Sequence, residues 1–188
     1  MPAIKFSHIA STYSEYLDSL YSYALHLGFA EQTAMDAIQD VFYKLCTQHS
    51  SLNEINNLKS YLLRSLRNRL IDLKRVSREE IVPFIAREDV AEALPFQFHV
   101  TIEDELIMKE DAEEIRLRVE NLLNQLTDRQ REIVYLRYIR EHSYEEIAEI
   151  MQISVPACRN LISKSIAKMK ESSLPIALLM LIGKPWVW

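Results

Sequence analysis

The sequence predicts an all-α protein of two small helical domains joined by an acidic linker. Three observations lead there. Apolar residues recur at spacings of three and four through both halves of the 188-residue chain, which is the period of an amphipathic helix. Glycine occurs only at Gly28 and Gly183 and β-branched runs are scarce, so multi-stranded architectures and glycine-rich phosphate loops find no support. Between the periodic halves, over residues 77–101, the pattern fades: Pro83 and Pro95 interrupt it, and Glu79, Glu80, Glu88, Asp89 and Glu92 gather there.

The first half, residues 8–76, carries three helical patterns. Tyr13, Tyr16, Leu17, Leu20, Tyr23, Ala24 and Leu27 form one stripe, with Gly28 as a natural C-terminal stop. Ala34, Ala37, Ile38, Val41, Phe42 and Leu45 form the second, and Leu58, Leu62, Leu66, Leu70 and Leu73 mark the third. Stripes of this kind are stable when packed together, so the three helices are expected to share one core.

The second half, residues 102–173, is read from its helix starts. Thr101, with Asp104 three residues on, can cap a helix running to about Leu126. Thr127 with Gln130 and Ser143 with Glu146 have capping-box spacing, and Ser154 can cap a last long helix with Pro156 inside its first turn. A short helix over residues 144–151, a turn at Gln152, Ile153 and Ser154, and a second helix from Val155 have helix-turn-helix spacing. Ala148 permits close crossing beside Ile147, Ile153 plugs the turn, and Cys158 and Leu161 face the core. Gln152 stands where such turns often carry glycine.

Chemistry concentrates on two basic helix faces. On the outward side of the last helix lie Arg159, Asn160, Ser163 and Lys164, and arginine and asparagine can each make two hydrogen bonds to a base edge in the major groove. Lys164, Lys168 and Lys170 add charge for phosphates, and Arg137 and Arg140 stand ready to grip the flanking backbone. The third helix holds Lys59, Arg64, Arg67, Arg69, Lys74, Arg75 and Arg78 against one acid, Asp72. Of these, Arg64, Arg67, Lys74 and Arg75, with Asn68, are expected on a face away from the leucines. Tyr61 near its start is expected to pack rather than to wedge between bases. A basic groove of this composition suits single-stranded nucleic acid. The second helix has the opposite polarity: Asp36, Gln39, Asp40 and Tyr43 recur opposite its apolar stripe, a surface that can dock a basic partner helix.

Set in order, these pieces resemble the sigma-70 family of bacterial RNA polymerase sigma factors, in the two-domain extracytoplasmic-function group. Asp36-Ala37-Ile38-Gln39-Asp40-Val41-Phe42 resembles the signature of sigma region 2, and residues 58–75, with Tyr61-Leu62-Leu63-Arg64 and Asn68, resemble the segment that opens the −10 element. Residues 126–138 and 143–151 resemble sigma region 4. The resemblance implies a three-to-four-helix region 2 bundle and a region 4 helix-turn-helix domain, joined by a flexible linker. It further implies that Asp36, Gln39, Asp40 and Tyr43 contact core RNA polymerase. Tyr61, Arg64, Arg67, Asn68, Lys74 and Arg75 would then lie at the −10 element of promoter DNA, and Arg137, Arg159, Asn160, Ser163, Lys164 and Lys168 at the −35 element. It implies an anti-sigma factor as a further partner. Tyr61 stands where tryptophan is common in the family, and Pro156, Ala157 and Cys158 replace its usual small residue, threonine and valine, so −35 preference does not carry over from another member.

Other classes receive less support. A net charge of −5 and a pI near 5.6 argue against coating nucleic acid indiscriminately. Two distant cysteines, Cys46 and Cys158, point to a reduced compartment, and neither a secretory leader nor a run of roughly 20 apolar residues is present, so a cytoplasmic protein without membrane insertion is expected. Cys46 and His49 have two-ligand spacing without a second pair, and no nucleophile, base and orienting acid assemble; no metal, cofactor or catalytic site is expected. The rival to a sigma factor is a polymerase-independent helix-turn-helix regulator whose first half senses a ligand or partner. The apolar tail, residues 174–188, is expected to pack onto the last domain, the alternative being that it docks a regulator or polymerase.

Overall fold

The computed structural model describes residues 2–48, 55–81, 94–97, 117 and 120–170. These residues contain helices and no strand. The chain divides into two compact units, one mainly from residues 1–94 and the other mainly from residues 95–188. The helix start at Thr101 and the apolar tail lie outside the described residues.

The first unit contains helices α1 (Pro2–His26), α2 (Glu31–Gln48) and α3 (Leu58–Ile81). Its core joins Leu20, Tyr23, Ala24 and Leu27 of α1 to Ala34, Ala37, Ile38, Val41, Phe42 and Leu45 of α2 and to Leu62, Leu63, Leu66 and Leu70 of α3. Each fully buried leucine contributes about 1.5–3 kcal/mol relative to exposure. Tyr13 meets Phe42 edge to face at 4.9 Å, the geometry that the ring quadrupoles favour. Gly28 ends α1 in the left-handed region at φ 78°. The Phe29 amide returns to the Ala24 carbonyl and the Gly28 amide to Leu25, the paired closure of a Schellman motif. Asn57 caps α3 by accepting the Ser60 amide at 3.0 Å, satisfying one of the donors that a helix start leaves open.

The second half of the chain contains helical residues 120–124, helix α4 (Asp128–Val134), a π-helical turn (Tyr135–Ile139), α5 (Tyr144–Met151) and α6 (Val155–Lys170). All three caps expected from Thr127, Ser143 and Ser154 form. Thr127 and Gln130 exchange side-chain and backbone bonds at 3.3 and 3.0 Å, and Ser143 and Glu146 do so at 3.1 and 2.8 Å. Ser154 Oγ accepts the Ala157 amide at 3.3 Å. Buried Leu122, Leu123, Leu126, Ile133, Val134, Leu136, Ile147, Ala148, Cys158, Ile162 and Met169 supply apolar cover.

Within the stretch read as linker, residues 77–81 instead continue helix α3, and residues 94–97 are not bare tether. Phe96 is fully buried, its ring lies 5.4 Å from that of Tyr135, and its amide donates to Asp128 Oδ1 at 3.0 Å. One aromatic beside a proline makes no periodic signal, so the sequence pattern passed over this anchor.

Candidate nucleic-acid and partner interfaces

Helix α6 separates cleanly into two faces. Cys158, Ile162, Ser165 and Met169 are buried at spacings of four, three and four, and Ser165 Oγ donates back to the Leu161 carbonyl at 2.8 Å, which lets a hydroxyl sit inside. Arg159, Asn160, Ser163 and Lys164 are all exposed, as expected, while Lys168 and Leu161 are half-buried. The turn before α6 places Gln152 at φ 53°. Its amide reaches the Glu149 carbonyl and the Ile153 amide that of Ala148, so glutamine adopts the backbone that glycine provides after α1. Burial pushes the Cys158 thiol above its ordinary value, with Glu145 adding to the shift.

Around the start of α5 three elements converge on Tyr144. The π-helical turn closes with the Arg140 amide on the Tyr135 carbonyl, and Glu141 follows at φ 56°. This brings Arg137 round so that its NH1 donates to the His142 carbonyl at 2.8 Å and its guanidinium carbon stands 4.8 Å from the Tyr144 ring centroid. Arg159 reaches the same ring from α6 at 5.3 Å, with Glu145 3.9 Å away. Arg137 was expected as a backbone-gripping cation; one of its N–H groups is committed to the protein's own carbonyl. Burial also raises the Tyr138 phenol, with Tyr144 adding to it and Arg137 opposing.

In the first unit Asp36 and Gln39 are exposed, and Tyr43 is 71% exposed, an unusual display for an aromatic. Gln32 donates to Asp36 at 3.0 Å. Asp40 is half-buried and held from α3: Arg69 Nε and NH2 both reach Asp40 Oδ2, at 2.8 and 2.7 Å. Arg69 is one of seven cations along α3, and a partner 29 residues away leaves no local signal.

The α3 face needs correction. Arg67 was expected to share an open face with Arg64, Asn68, Lys74 and Arg75, but it is 6% exposed. Leu63, Arg67 and Leu70 fall at spacings of four and three, forming a second buried row beside the one through Leu62, Leu66 and Leu70; the inner face is wider than the leucine repeat implied. Arg64, Asn68 and Lys74 are half-buried and Arg75 is exposed, within 3.8 Å of Asp72. The Arg64 guanidinium lies over the half-buried Tyr61 ring at 5.7 Å.

Among the described residues, no group of three or more His, Cys, Asp or Glu side chains could hold a metal ion, and no helix is long and apolar enough to cross a membrane. His49 lies outside the described residues.

Residues 12–79 match the family Sigma-70 region 2, and residues 116–169 match Sigma-70, region 4. The chain is 23% identical over 171 residues to the ECF RNA polymerase sigma factor SigM of Bacillus subtilis (strain 168), covering 86% of this chain and 93% of that one. Its fold is similar to the sigma factor RpoE of Bartonella quintana, solved in complex with the anti-sigma factor NepR: TM-score 0.57, 24% identity, 87% of this chain and 95% of that one. It is also similar to CnrH in complex with the cytosolic domain of CnrY: TM-score 0.54, 20% identity, 87% and 85% covered.

Proposed function

Because this chain belongs to the sigma-70 family of RNA polymerase sigma factors, in the extracytoplasmic-function group, and so directs polymerase to promoters, we propose how its surfaces divide that work. Helix α6 reads the −35 element through Arg159, Asn160, Ser163 and Lys164, with Lys168 and Arg137 at its margins. The outer side of α3 meets the −10 strand through Arg64, Asn68, Lys74 and Arg75, with Tyr61 behind Arg64; Arg67 supports that helix from within. The α2 stripe of Asp36, Gln39, Asp40 and Tyr43 docks on core polymerase. The observation that carries this reading is the row of four residues exposed together on α6, the helix that Ser154 caps as the second of a helix-turn-helix.

The acidity of the chain fits a protein that stays off DNA until it is mounted. Two modest DNA-binding surfaces fixed on one enzyme gain from effective concentration, and neither need bind tightly alone. The free protein is therefore expected to bind promoters weakly at physiological salt. It acts in the cytoplasm and performs no reaction of its own. RpoE of Bartonella quintana was solved with an anti-sigma factor; a partner of that kind is proposed here, excluding polymerase when bound.

Run-off transcription with core polymerase on a library of genomic fragments tests the reading. New starts sharing paired upstream elements are expected only when the protein is added. No new starts, with binding to a palindrome by the protein alone, would replace it by a polymerase-independent regulator.

A further inference from the structure

We infer that Tyr144 is the positioning residue that sets the aim of Arg159, with Arg137 bracing the ring from the other element. This rests on the reading of α6 as the −35 helix and deepens it. A bidentate contact to guanine needs the guanidinium plane held at a fixed angle to the base edge. Arginine on an open helix face samples many rotamers, and Arg159 is 63% exposed on α6. Two contacts narrow its range: the Tyr144 ring at 5.3 Å and the Glu145 carboxylate at 3.9 Å, both from the first turn of α5. The carboxylate pair is long and solvated, so it restrains little. An aromatic face orients the planar cation by stacking as well as by charge.

The ring in turn is held. Arg137 stands 4.8 Å from it, and Arg137 is anchored by the 2.8 Å bond from NH1 to the His142 carbonyl. The π-helical turn supplies this geometry, because it carries Arg137 toward the α5 start. The order of support runs from the backbone carbonyl to Arg137, to the Tyr144 ring, to Arg159. In this arrangement the ring matters and the phenolic hydroxyl does not.

The test uses the full chain assembled with core polymerase, and a promoter library randomised across the −35 element. Tyr144→Phe should keep the base preference. Tyr144→Leu should reduce preference at the single position read by Arg159 by about three-fold or more, the scale of one lost cation–π contact, with the other positions unchanged. Combined with Arg159→Ala, Tyr144→Leu should add nothing at that position. Thermal melting of each variant separates misfolding from misaiming, and Tyr144→Gln replaces Tyr144→Leu if the latter does not fold. An equal loss on all promoters, additive with Arg159→Ala, overturns the positioning role. If Arg159→Ala itself leaves every base preference intact, the reading of α6 fails instead, so the two failures are distinguishable.

Discussion

Helices α3 and α6 are both basic, yet their cations face different things. On α3, Arg67 is buried, Arg69 holds Asp40 with two bonds to one oxygen, and Arg75 lies near Asp72. On α6, Arg159, Asn160, Ser163 and Lys164 are exposed together, and the carboxylate beside Arg159 is 3.9 Å away. A similar density of positive charge thus serves two purposes. Part of the α3 charge holds its own unit together and braces the acidic stripe of α2, while the α6 charge remains available to an outside ligand.

The largest effect should come from breaking the brace. Asp40→Lys puts a cation against Arg69 and on the proposed docking stripe, so affinity for core polymerase should fall by about 2–5 kcal/mol, the scale for a disrupted interfacial charge pair. A binding titration measures this, with helicity by circular dichroism as the control; unchanged affinity removes Asp40 from the interface. Next in size is Arg159→Ala, expected to cost about 1–3 kcal/mol at one promoter position and relax specificity there. A base preference identical to that of the parent protein would withdraw α6 as the reading helix.

A sharper contrast lies in the salt dependence of holoenzyme binding to promoter DNA. Lys164→Ala should lower the slope of log affinity against log salt by about one phosphate contact. Arg69→Ala should leave that slope alone, because its charge is directed at Asp40, and should cost under about 1 kcal/mol of stability, since both partners are partly exposed. If Arg69→Ala moves the slope as far as Lys164→Ala does, the two helices do not differ as described.

Local chemistry explains what could be read from the sequence. The caps at Thr127, Ser143 and Ser154 depend on residues three apart, and the α6 faces depend on one helical period, so both were legible. Arg67 was not, because a conspicuous leucine repeat hid the adjacent row through Leu63 and Leu70. The Asp40–Arg69 pair and the burial of Phe96 against Tyr135 join residues distant in sequence, which no periodicity encodes. Tyr144 sat within a legible capping box, but its two arginine neighbours come from the π-helical turn and from α6, and a π-helical turn has no pattern in this sequence to announce it.

The smallest effect compares how two helices end. Both α1 and α5 close with the same pair of backbone bonds, yet the residue in the left-handed region is Gly28 after α1 and Gln152 after α5, at φ 78° and 53°. A side chain with a Cβ costs roughly 1–2 kcal/mol in that region, while glycine returns part of the gain through greater freedom in the unfolded chain. The net expectation for Gln152→Gly is about 0.5–1 kcal/mol of added stability. In a small domain that raises Tm by about 2–8 °C, whereas Gly28→Gln should lower it by a similar amount. Gln152 is also exposed and lies outside the α6 row proposed to read DNA, so promoter preference should not change with Gln152→Gly. Thermal melting alongside the promoter library decides it: a lower Tm would mean that the glutamine side chain contributes more than its backbone costs, and an altered preference would mean that the turn itself touches the promoter.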